Sequence, residues 1–493
     1  MITGNIKKYF FLGTIVLLGA TSCSKIKDFG DTNVDPNKTP VPSTAALLSN
    51  AEVSMSGYVT STRGGLYCQY FSETQYPGVS LYSLPKVDFD LEMAGSIMDC
   101  QNVINYNLDP AYFKQMQDYG TNANQIAAAR IIKAYMMWHI TDRWGDIPYF
   151  NALKGAANLT PVYDTQESIY RDLLKELKEA SAQFDGSGQA TLKGDLLFRG
   201  ISSSWQRFAN SLRLLIALRM SKVYPEPTGY AASEFNEALL TNNIIDAADS
   251  SENVTINYPG ASYKNPWYNL YNGRSDYAQS DRFVDFAFTL GTDFRLLQWG
   301  TAYQVGFPYG ISREAAIAFG SNNPAYSKVL NSAFRTESSP LVLLSSASLN
   351  LARAEAAVLG WTGEDANTFY NNGIRASYSQ WDLIKTAADI TRLTGYQTSV
   401  GLTGDETLDL EAIRAQEYLA WYPNGTQGWT EWRRTGVPAL SPTVNAVNPS
   451  KQIPRRYVYG DREYSTNGTN VAAAIAAMPG GDSQDGRVWW DKQ

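Results

Sequence analysis

Side chains that could act as bases or metal ligands near neutral pH are scarce in this sequence. The 493 residues include a single histidine, His139. A Ser-His-Asp triad, a zinc site built from several histidines or a histidine proton relay would each depend on that one imidazole. Aromatic side chains are abundant instead, since 12 Trp, 31 Tyr and 19 Phe make up 13% of the chain. The sequence therefore offers many flat ring faces and few groups for histidine-dependent catalysis.

Acidic side chains are the remaining source of catalytic or metal-binding groups. The chain has 48 Asp and Glu against 41 Lys and Arg, a formal charge of −7, which provides no broad positive surface for nucleic acid. Pairs of carboxylates could serve a glycoside hydrolase, but no motif marks a particular pair. Asp31, Asn33 and Asp35 have the spacing that opens a calcium loop, yet Pro36 and Pro42 stand where that loop needs Gly and Glu. No motif indicates a cofactor, and calcium in another Asp- and Asn-rich loop is left open.

The first residues have the parts of a secretory signal. Two lysines precede an apolar run at 9–20, which is too short for a membrane-spanning helix of about 20 apolar residues. Small residues then precede Cys23, the arrangement of a bacterial lipoprotein cleavage site. We therefore predict a signal peptide at 1–22, lipid attachment at Cys23 and an extended polar tether at 23–43, so that acyl chains anchor the mature protein to a membrane.

The two other cysteines, Cys68 and Cys100, would then lie in an oxidising compartment where a disulfide could persist. Sequence does not show their separation, so their pairing is left open.

The elements that must position the aromatic and polar groups are mainly helices. Apolar residues recur at helical spacing in five segments, at 127–138, 169–180, 205–219, 345–359 and 370–381. Asp164 with Glu167 predicts a capped start for the second segment, and Gly360 predicts the end of the fourth. Between 255 and 340 the helical pattern gives way to Gly, Pro, Asn, Ser and aromatic residues, which predicts a loop-rich region.

Several distinctive residues are interpreted as scaffold. Residues 144–149 (WGDIPY) predict a helix exit, because Gly permits unusual dihedral angles and Pro stops a helix. Arg433 and Arg434 are expected to hold carboxylates or helix-end carbonyls. His139 is expected to be a satisfied interior or partly exposed histidine rather than a ligand.

A series of short motifs resembles the SusD/RagB family of outer-membrane nutrient-binding lipoproteins of Bacteroidetes. Their order along the chain makes the match specific, although each is short. They are NVDPN at 33–37, TDRWGDIPY at 141–149, TPVYDTQESIY at 160–170, WQRFANSLRL at 205–214, LARAEAAVLGW at 351–361, YNNGIRASYSQW at 370–381, EWRRTGVP at 431–438 and VWWDK at 488–492. The sequence departs from the family pattern at DFRL (293–296), where DPRL is expected, and in its loose lipoprotein site.

The resemblance implies a mostly α-helical fold, in which tetratricopeptide-like helix pairs support long irregular loops with little β-structure. It implies one domain at 44–493, with a loop-rich insertion at about 255–340. It also implies a non-enzymatic lipoprotein on the outer face of the outer membrane. Such a protein captures oligomeric nutrients, usually glycans, for a SusC-like TonB-dependent barrel.

Carbohydrate capture calls for aromatic faces against the C–H face of a sugar and planar polar groups against its hydroxyls. Two loop-like segments combine both kinds of side chain, at 66–82 and 263–277, and a third at 299–310 adds further aromatics. We predict Trp267, Tyr271 and Trp299 as stacking platforms and Asn272, Arg274 and Asp276 as hydrogen-bonding groups. Tyr76 and Tyr82 are further candidates for ligand contact.

Three other functions stay open at this point. A glycoside hydrolase would cleave the glycan, a peptide-binding member of the same family would take a different nutrient, and a helical cap for a barrel would bind neither.

Overall fold

The computed structural model describes residues 42–83, 85–186, 192–300 and 305–492. Thr44–Gln493 form one compact unit. The predicted signal peptide, Cys23, the calcium-like spacing at 31–35 and nearly all of the predicted tether lie outside the described residues, and these stay predictions.

Helices dominate the structure and strands are few and short, which confirms the predicted fold class. The α-helices are α1 Thr44–Ser54, α2 Ser56–Val59, α3 Thr62–Tyr67, α4 Asp90–Glu92, α5 Met98–Leu108, α6 Phe113–Met116, α7 Asn122–Trp144, α8 Gln166–Gln183, α9 Ser202–Arg219, α10 Tyr230–Leu239, α11 Pro266–Leu270, α12 Asp281–Thr289, α13 Leu296–Trp299, α14 Arg313–Asn322, α15 Ser346–Val358, α16 Ala366–Gln380, α17 Ala387–Ser399, α18 Glu406–Trp421, α19 Gly425–Thr435, α20 Asp461–Thr466 and α21 Gly468–Ala477. Turns of 3-10 helix lie at Gln117–Tyr119, Gly155–Ala157, Ser250–Glu252 and Ser332–Phe334, and one π-helical turn lies at Met93–Ile97.

The strands pair two by two across long sequence separations. They are β1 Phe71–Glu73 antiparallel to β4 Tyr277–Gln279, β2 Lys86–Val87 parallel to β6 Val458–Tyr459, and β3 Val254–Ile256 antiparallel to β5 Leu341–Leu344.

Most of the long helices pack against the helix that precedes or follows them in the chain. Helix α7 contacts α8, α8 contacts α9, and α9 contacts α10, while α15 packs on both α16 and α18. Because each helix buries an apolar face against the next one, the pairs together form one large core cluster and a second, smaller one between α15, α16, α17 and α18. This is the helix-pair scaffold that the resemblance implies.

Local signals set most helix ends correctly. Helix α7 ends at Gly145, whose φ of +84° suits glycine, and the carboxylate of Asp146 accepts a hydrogen bond from the backbone N of Gln166 at 2.8 Å. Helix α15 ends before Gly360, with φ +70°. Both predicted ends are confirmed.

The predicted cap of helix α8 is wrong by one residue. Thr165, rather than Asp164, accepts from the backbone N of Ser168 at 3.3 Å. Asp164 instead accepts from the backbone N atoms of Tyr149 and Phe150, at 3.0 and 2.9 Å. These backbone N atoms follow the end of helix α7. A capping rule considers only residues next to the helix, so it does not include them as competing partners.

The scaffold residues lie in the interior, but their partners differ in part from the prediction. Neither ring nitrogen of His139 has a hydrogen-bond partner among the described residues, and Arg433 binds the carbonyl of a loop residue rather than a carboxylate or a helix-end carbonyl. His139 is buried between the rings of Tyr58, Tyr135 and Trp138. The guanidinium of Arg433 donates to the carbonyl oxygen of Arg455, at 2.9 Å, and stacks over Trp429.

The other cysteines, Cys68 and Cys100, are both buried and free. Burial raises the pKa of each thiol, so both are neutral at physiological pH. In the described ranges we find no helix with the length and apolarity required to traverse a bilayer.

Candidate functional site

Two of the predicted ligand-binding segments are joined by a small sheet. Strand β1, from the segment at 66–82, pairs with β4, which begins at the last residue of the segment at 263–277. Phe71 lies opposite Gln279, and Glu73 lies opposite Tyr277. One residue beyond the sheet, the backbone N of Thr74 donates to the carbonyl oxygen of Asp276 at 2.8 Å. Loops about 200 residues apart therefore emerge side by side.

The third segment adds to the same assembly. The backbone N of Phe307 donates to the carbonyl oxygen of Gln279 at 2.8 Å, and the backbone N of Asp281 donates to the carbonyl oxygen of Phe307 at 3.0 Å. The phenol of Tyr309 donates to the carbonyl oxygen of Leu66 at 2.7 Å. The three segments singled out in the sequence thus meet in space.

A group of side chains lies at the ends of these loops, exposed except for the partly buried Asp276, and we call it the loop platform: Tyr76, Asn272, Arg274, Asp276 and Arg313. Tyr76 is 61% exposed, and the guanidinium of Arg313 lies 5.3 Å from its ring centroid. Arg274 forms an ion pair with Asp276 while 64% of its side chain is exposed. Asn272 is exposed as well. The platform combines one accessible ring face with planar donors and acceptors.

Other predicted contact residues lie beneath the surface. Trp299 has 0% exposure and packs against Phe283, Trp381 and Tyr422. Tyr82 is buried against Tyr67. In this arrangement neither residue offers a ring face to a ligand, so ligand contact by either would require the residues packed over it to move.

Tyr271 supports the platform from below. It packs against the core, and its hydroxyl donates to the carbonyl oxygen of Tyr277, at 2.9 Å, and accepts from the backbone N of Val329, at 2.8 Å. Burial raises the pKa of Tyr271, so the phenol keeps the proton that it donates. Arg335 covers its ring, with the guanidinium 4.4 Å from the centroid. In this arrangement Tyr271 holds the loop that carries Asn272 and Arg274.

Trp267 faces a different feature, which we call the aromatic cavity. This cavity has a volume of about 350 Å³, and its aromatic lining residues are Trp267, Phe334, Trp381, Trp421 and Tyr422. None of the platform residues lines it.

Sequence reasoning missed most of the cavity. Its polar lining includes Gln380, Asp382 and Asn424, which lie where helices α16 and α18 end and α19 begins. The helical spacing at 370–381 places Trp381 on the apolar face of a helix, and no sequence pattern relates it to Trp421. One sequence signal was usable: a polar residue follows each of these two tryptophans at a helix end, Asp382 after Trp381 and Asn424 after Trp421.

The aromatic cavity is poorly equipped for glycoside hydrolysis. Hydrolysis by the usual mechanisms needs two carboxyl groups on either side of the scissile bond. Among the described residues, Asp382 is the only acidic side chain that lines the cavity. The described lining of the cavity therefore lacks the second carboxyl group that these mechanisms use.

Comparison with known proteins places the fold. Residues 36–460 match the model of a SusD-like family described as starch-binding and associating with the outer membrane. A search of curated protein sequences finds no match.

Solved structures are similar over nearly the whole chain. A chitin-binding protein is 26% identical with a TM-score of 0.75, covering 91% of this chain and 100% of that chain. A chitin-binding SusD homologue from Flavobacterium johnsoniae is 23% identical with a TM-score of 0.75, covering 91% of this chain and 98% of that chain. A SusD homologue from Bacteroides fragilis NCTC 9343 is 21% identical with a TM-score of 0.76, covering 91% of this chain and 100% of that chain.

Proposed function

This chain belongs to the SusD-like family, and we propose that it is a glycan-binding lipoprotein that works at the bacterial outer membrane. It captures oligosaccharides at the cell surface and performs no chemistry on them. The family description, which combines starch binding with the outer membrane, supports both the ligand class and the location.

The convergence of the three loop segments carries this proposal. The platform presents Tyr76 as a ring for the C–H face of a sugar, and Asn272, Arg274 and Asp276 as partners for its hydroxyls. Two similar structures are described as chitin-binding, which favours a glycan over a peptide as the ligand.

The test is calorimetric titration of the mature protein with chito-, cello- and malto-oligosaccharides and with a peptide mixture. We expect binding to at least one oligosaccharide series. Because an aromatic contact is worth about 0.5–1.5 kcal/mol beyond its burial, Tyr76→Ala should weaken affinity by up to about tenfold. Tyr464→Ala, at another exposed tyrosine, is the control and should leave affinity unchanged. Binding of peptides alone would assign the protein to peptide uptake.

Absence of turnover is a separate expectation. Incubation of the pure protein with the bound oligosaccharide should release no shorter products by chromatography. Product formation that is lost when one Asp or Glu is changed to its amide would identify a glycoside hydrolase instead.

We further propose that acyl chains on Cys23 hold the protein beside a SusC-like TonB-dependent barrel, which receives the glycan. Anchoring keeps the binding protein at high effective concentration near its transporter. Cys23→Ala should release the protein into soluble fractions, and co-purification of a barrel with the wild-type protein tests the partnership. If the variant stays in the membrane fraction, the anchor lies elsewhere.

A further inference from the structure

The walls of the aromatic cavity match the apolar face of a sugar ring. Three indoles, from Trp267, Trp381 and Trp421, line it together with Phe334 and Tyr422. The three indoles are 2%, 5% and 6% exposed, so only a part of each ring faces the cavity, and those parts give it an apolar wall for the C–H groups of a sugar. The volume of about 350 Å³ lies at the small end of ligand pockets, which span about 300–1,000 Å³. This space suits the end of an oligosaccharide rather than an extended chain.

Polar groups of the lining supply hydrogen bonds that a sugar needs. The side-chain amide of Asn253 donates to Oε1 of Gln380 at 3.1 Å, which orients the Gln380 amide. Within the described part of the chain, no acceptor takes a hydrogen bond from its Nε2, which can donate to a hydroxyl.

Asp382 occupies a backbone position that favours glycine. It follows helix α16 with φ +59°, in the left-handed region. Its backbone N donates to the carbonyl oxygen of Ser379 and the N of Leu383 donates to that of Tyr378, both at 3.1 Å. These two bonds define the Schellman motif, in which glycine is the usual residue at this point. An aspartate here costs stability relative to glycine and places a carboxylate at the rim of the cavity, where it is 66% exposed and pairs with Lys385 at 3.2 Å.

We propose that the aromatic cavity is a second carbohydrate subsite, which receives the terminal pyranose of an oligosaccharide. The exposed parts of the aromatic lining contact the C–H groups of the sugar, and Gln380 and Asp382 bind its hydroxyls. This inference rests on the proposed function, and it adds a site separate from the loop platform.

A cavity-filling variant tests the subsite without removing any packing. Ala333 is exposed and lines the cavity, so Ala333→Trp places an indole in its mouth. The probes are N,N′-diacetylchitobiose, cellobiose and maltose, titrated by calorimetry, with quenching of tryptophan fluorescence as a second readout for the wild type. We expect at least one disaccharide to bind the wild type and Ala333→Trp to weaken that binding by at least tenfold. Ala472→Trp, on the exposed side of helix α21, is the matched control and should change nothing.

The outcomes separate this inference from the proposed function. Unchanged affinity in Ala333→Trp overturns the subsite while leaving glycan binding at the platform intact. Failure of every disaccharide, with longer oligosaccharides bound normally by the cavity-filled variant, also overturns the subsite alone. Failure of all oligosaccharides with the wild type overturns both proposals.

Asp382→Gly supplies an independent test, because it changes stability and affinity in opposite directions. Glycine relieves the left-handed backbone, so the melting temperature should stay the same or rise. Removal of the carboxylate should weaken binding of the same disaccharide by at least fivefold. A purely structural role for Asp382 predicts no loss of affinity, and that result would contradict the subsite.

Discussion

Arg434 in the helical scaffold and Arg274 on the loop platform differ in burial and in the number of their carboxylate partners. Arg434 is buried, and it forms ion pairs with Glu355, Glu417 and Glu431 from helices α15, α18 and α19. Arg274 has one carboxylate partner, Asp276, and most of its side chain is exposed. The charged side chains of the scaffold pair with one another. On the platform, the exposed guanidinium of Arg274 keeps N–H groups that can donate hydrogen bonds to a ligand.

The buried network also perturbs its own carboxyl groups. Burial by itself raises the pKa of Glu355, but the charges of Arg434 and Arg414 outweigh it and lower the pKa to about 2. Burial and the neighbouring charges of Glu355 and Glu431 raise the pKa of Glu417 well above its usual value. Glu355 and Glu417 share Arg434, yet their pKa values shift in opposite directions. The reason is that Glu355 pairs closely with both Arg434 and Arg414. Such perturbed groups mark structure here, since they lie away from both candidate sites.

Removal of Arg434 should have the largest effect on stability. Arg434→Ala takes one of two arginines from Glu355 and from Glu431, which keep Arg414 and Arg219, and it removes the arginine paired with Glu417. Breaking a buried pair in this way typically costs about 3–5 kcal/mol. Urea unfolding followed by circular dichroism measures the loss. Arg392→Ala, at an exposed ion pair with Asp389, is the control and should unfold like the wild type. A loss below about 1 kcal/mol in Arg434→Ala would mean that the network is dispensable.

A smaller loss is expected where helix α19 approaches helix α3. A Cβ added at Gly425 would lie 2.1 Å from the backbone N of Gly65, and backbone cannot move aside as a side chain can. Gly425→Ala should therefore destabilise the protein by about 1–3 kcal/mol or more. Gly395→Ala is the matched control, because nothing lies within 4 Å of its added Cβ. That substitution in helix α17 should instead stabilise the protein by about 0.5–1 kcal/mol.

The scaffold should also lose stability in acid through His139. Burial, with the positive charges of Arg143 and Arg219, lowers the pKa of His139 well below its usual value. Since the unfolded chain binds this proton near pH 6.5 and the folded chain does not, the stabilisation is present above pH 6.5 and is lost as the pH falls below it. At pH 5.5 the loss is about 1.4 kcal/mol.

The measurement compares the unfolding free energy of the wild type and His139→Leu between pH 7.5 and 5.5. The tyrosine and tryptophan rings that face His139 do not gain a proton in this range, so the difference between the two proteins isolates the imidazole. Parallel pH profiles for the two proteins would contradict the prediction.

Substitution on the platform should have the smallest effect on stability and a clear effect on binding. Arg274→Ala removes an exposed side chain, so the unfolding free energy should stay within about 0.5 kcal/mol of the wild type. Affinity for the bound oligosaccharide should fall, because hydroxyl contacts are lost, and calorimetry measures it. A large loss of stability with unchanged affinity would reverse the comparison between platform and scaffold.

The fold was largely predictable because its signals are local. Helical spacing in five segments corresponds to α7, α8, α9, α15 and α16, and the glycines at 145 and 360 mark helix ends. The misplaced cap at Asp164 shows where local reasoning stops. Its carboxylate binds backbone N atoms 14 and 15 residues earlier in the chain, so the cap rule lacked the competing partner.

The candidate sites were predictable only in part. Sequence composition identified the three segments that converge, and Asn272 and Arg274 lie exposed on the platform. Composition did not show that Tyr76 is accessible to a ligand while Trp299 is buried. Trp299 is enclosed by the rings of Phe283, Trp381 and Tyr422, which come from three other segments.

The sequence by itself therefore determined the helical fold class, the family and the loop segments rich in aromatic and polar residues. The fold class and the loop segments follow from periodicity and capping, which involve residues close together in the chain. The family follows from the order of short motifs, which is visible in the sequence itself. Only the tertiary structure decided which aromatic faces are accessible and that Trp267, Trp381 and Trp421 line one cavity. The accessibility of a side chain depends on what packs over it, and many of those neighbours come from other segments of the chain, as Trp381 and Tyr422 do for Trp299.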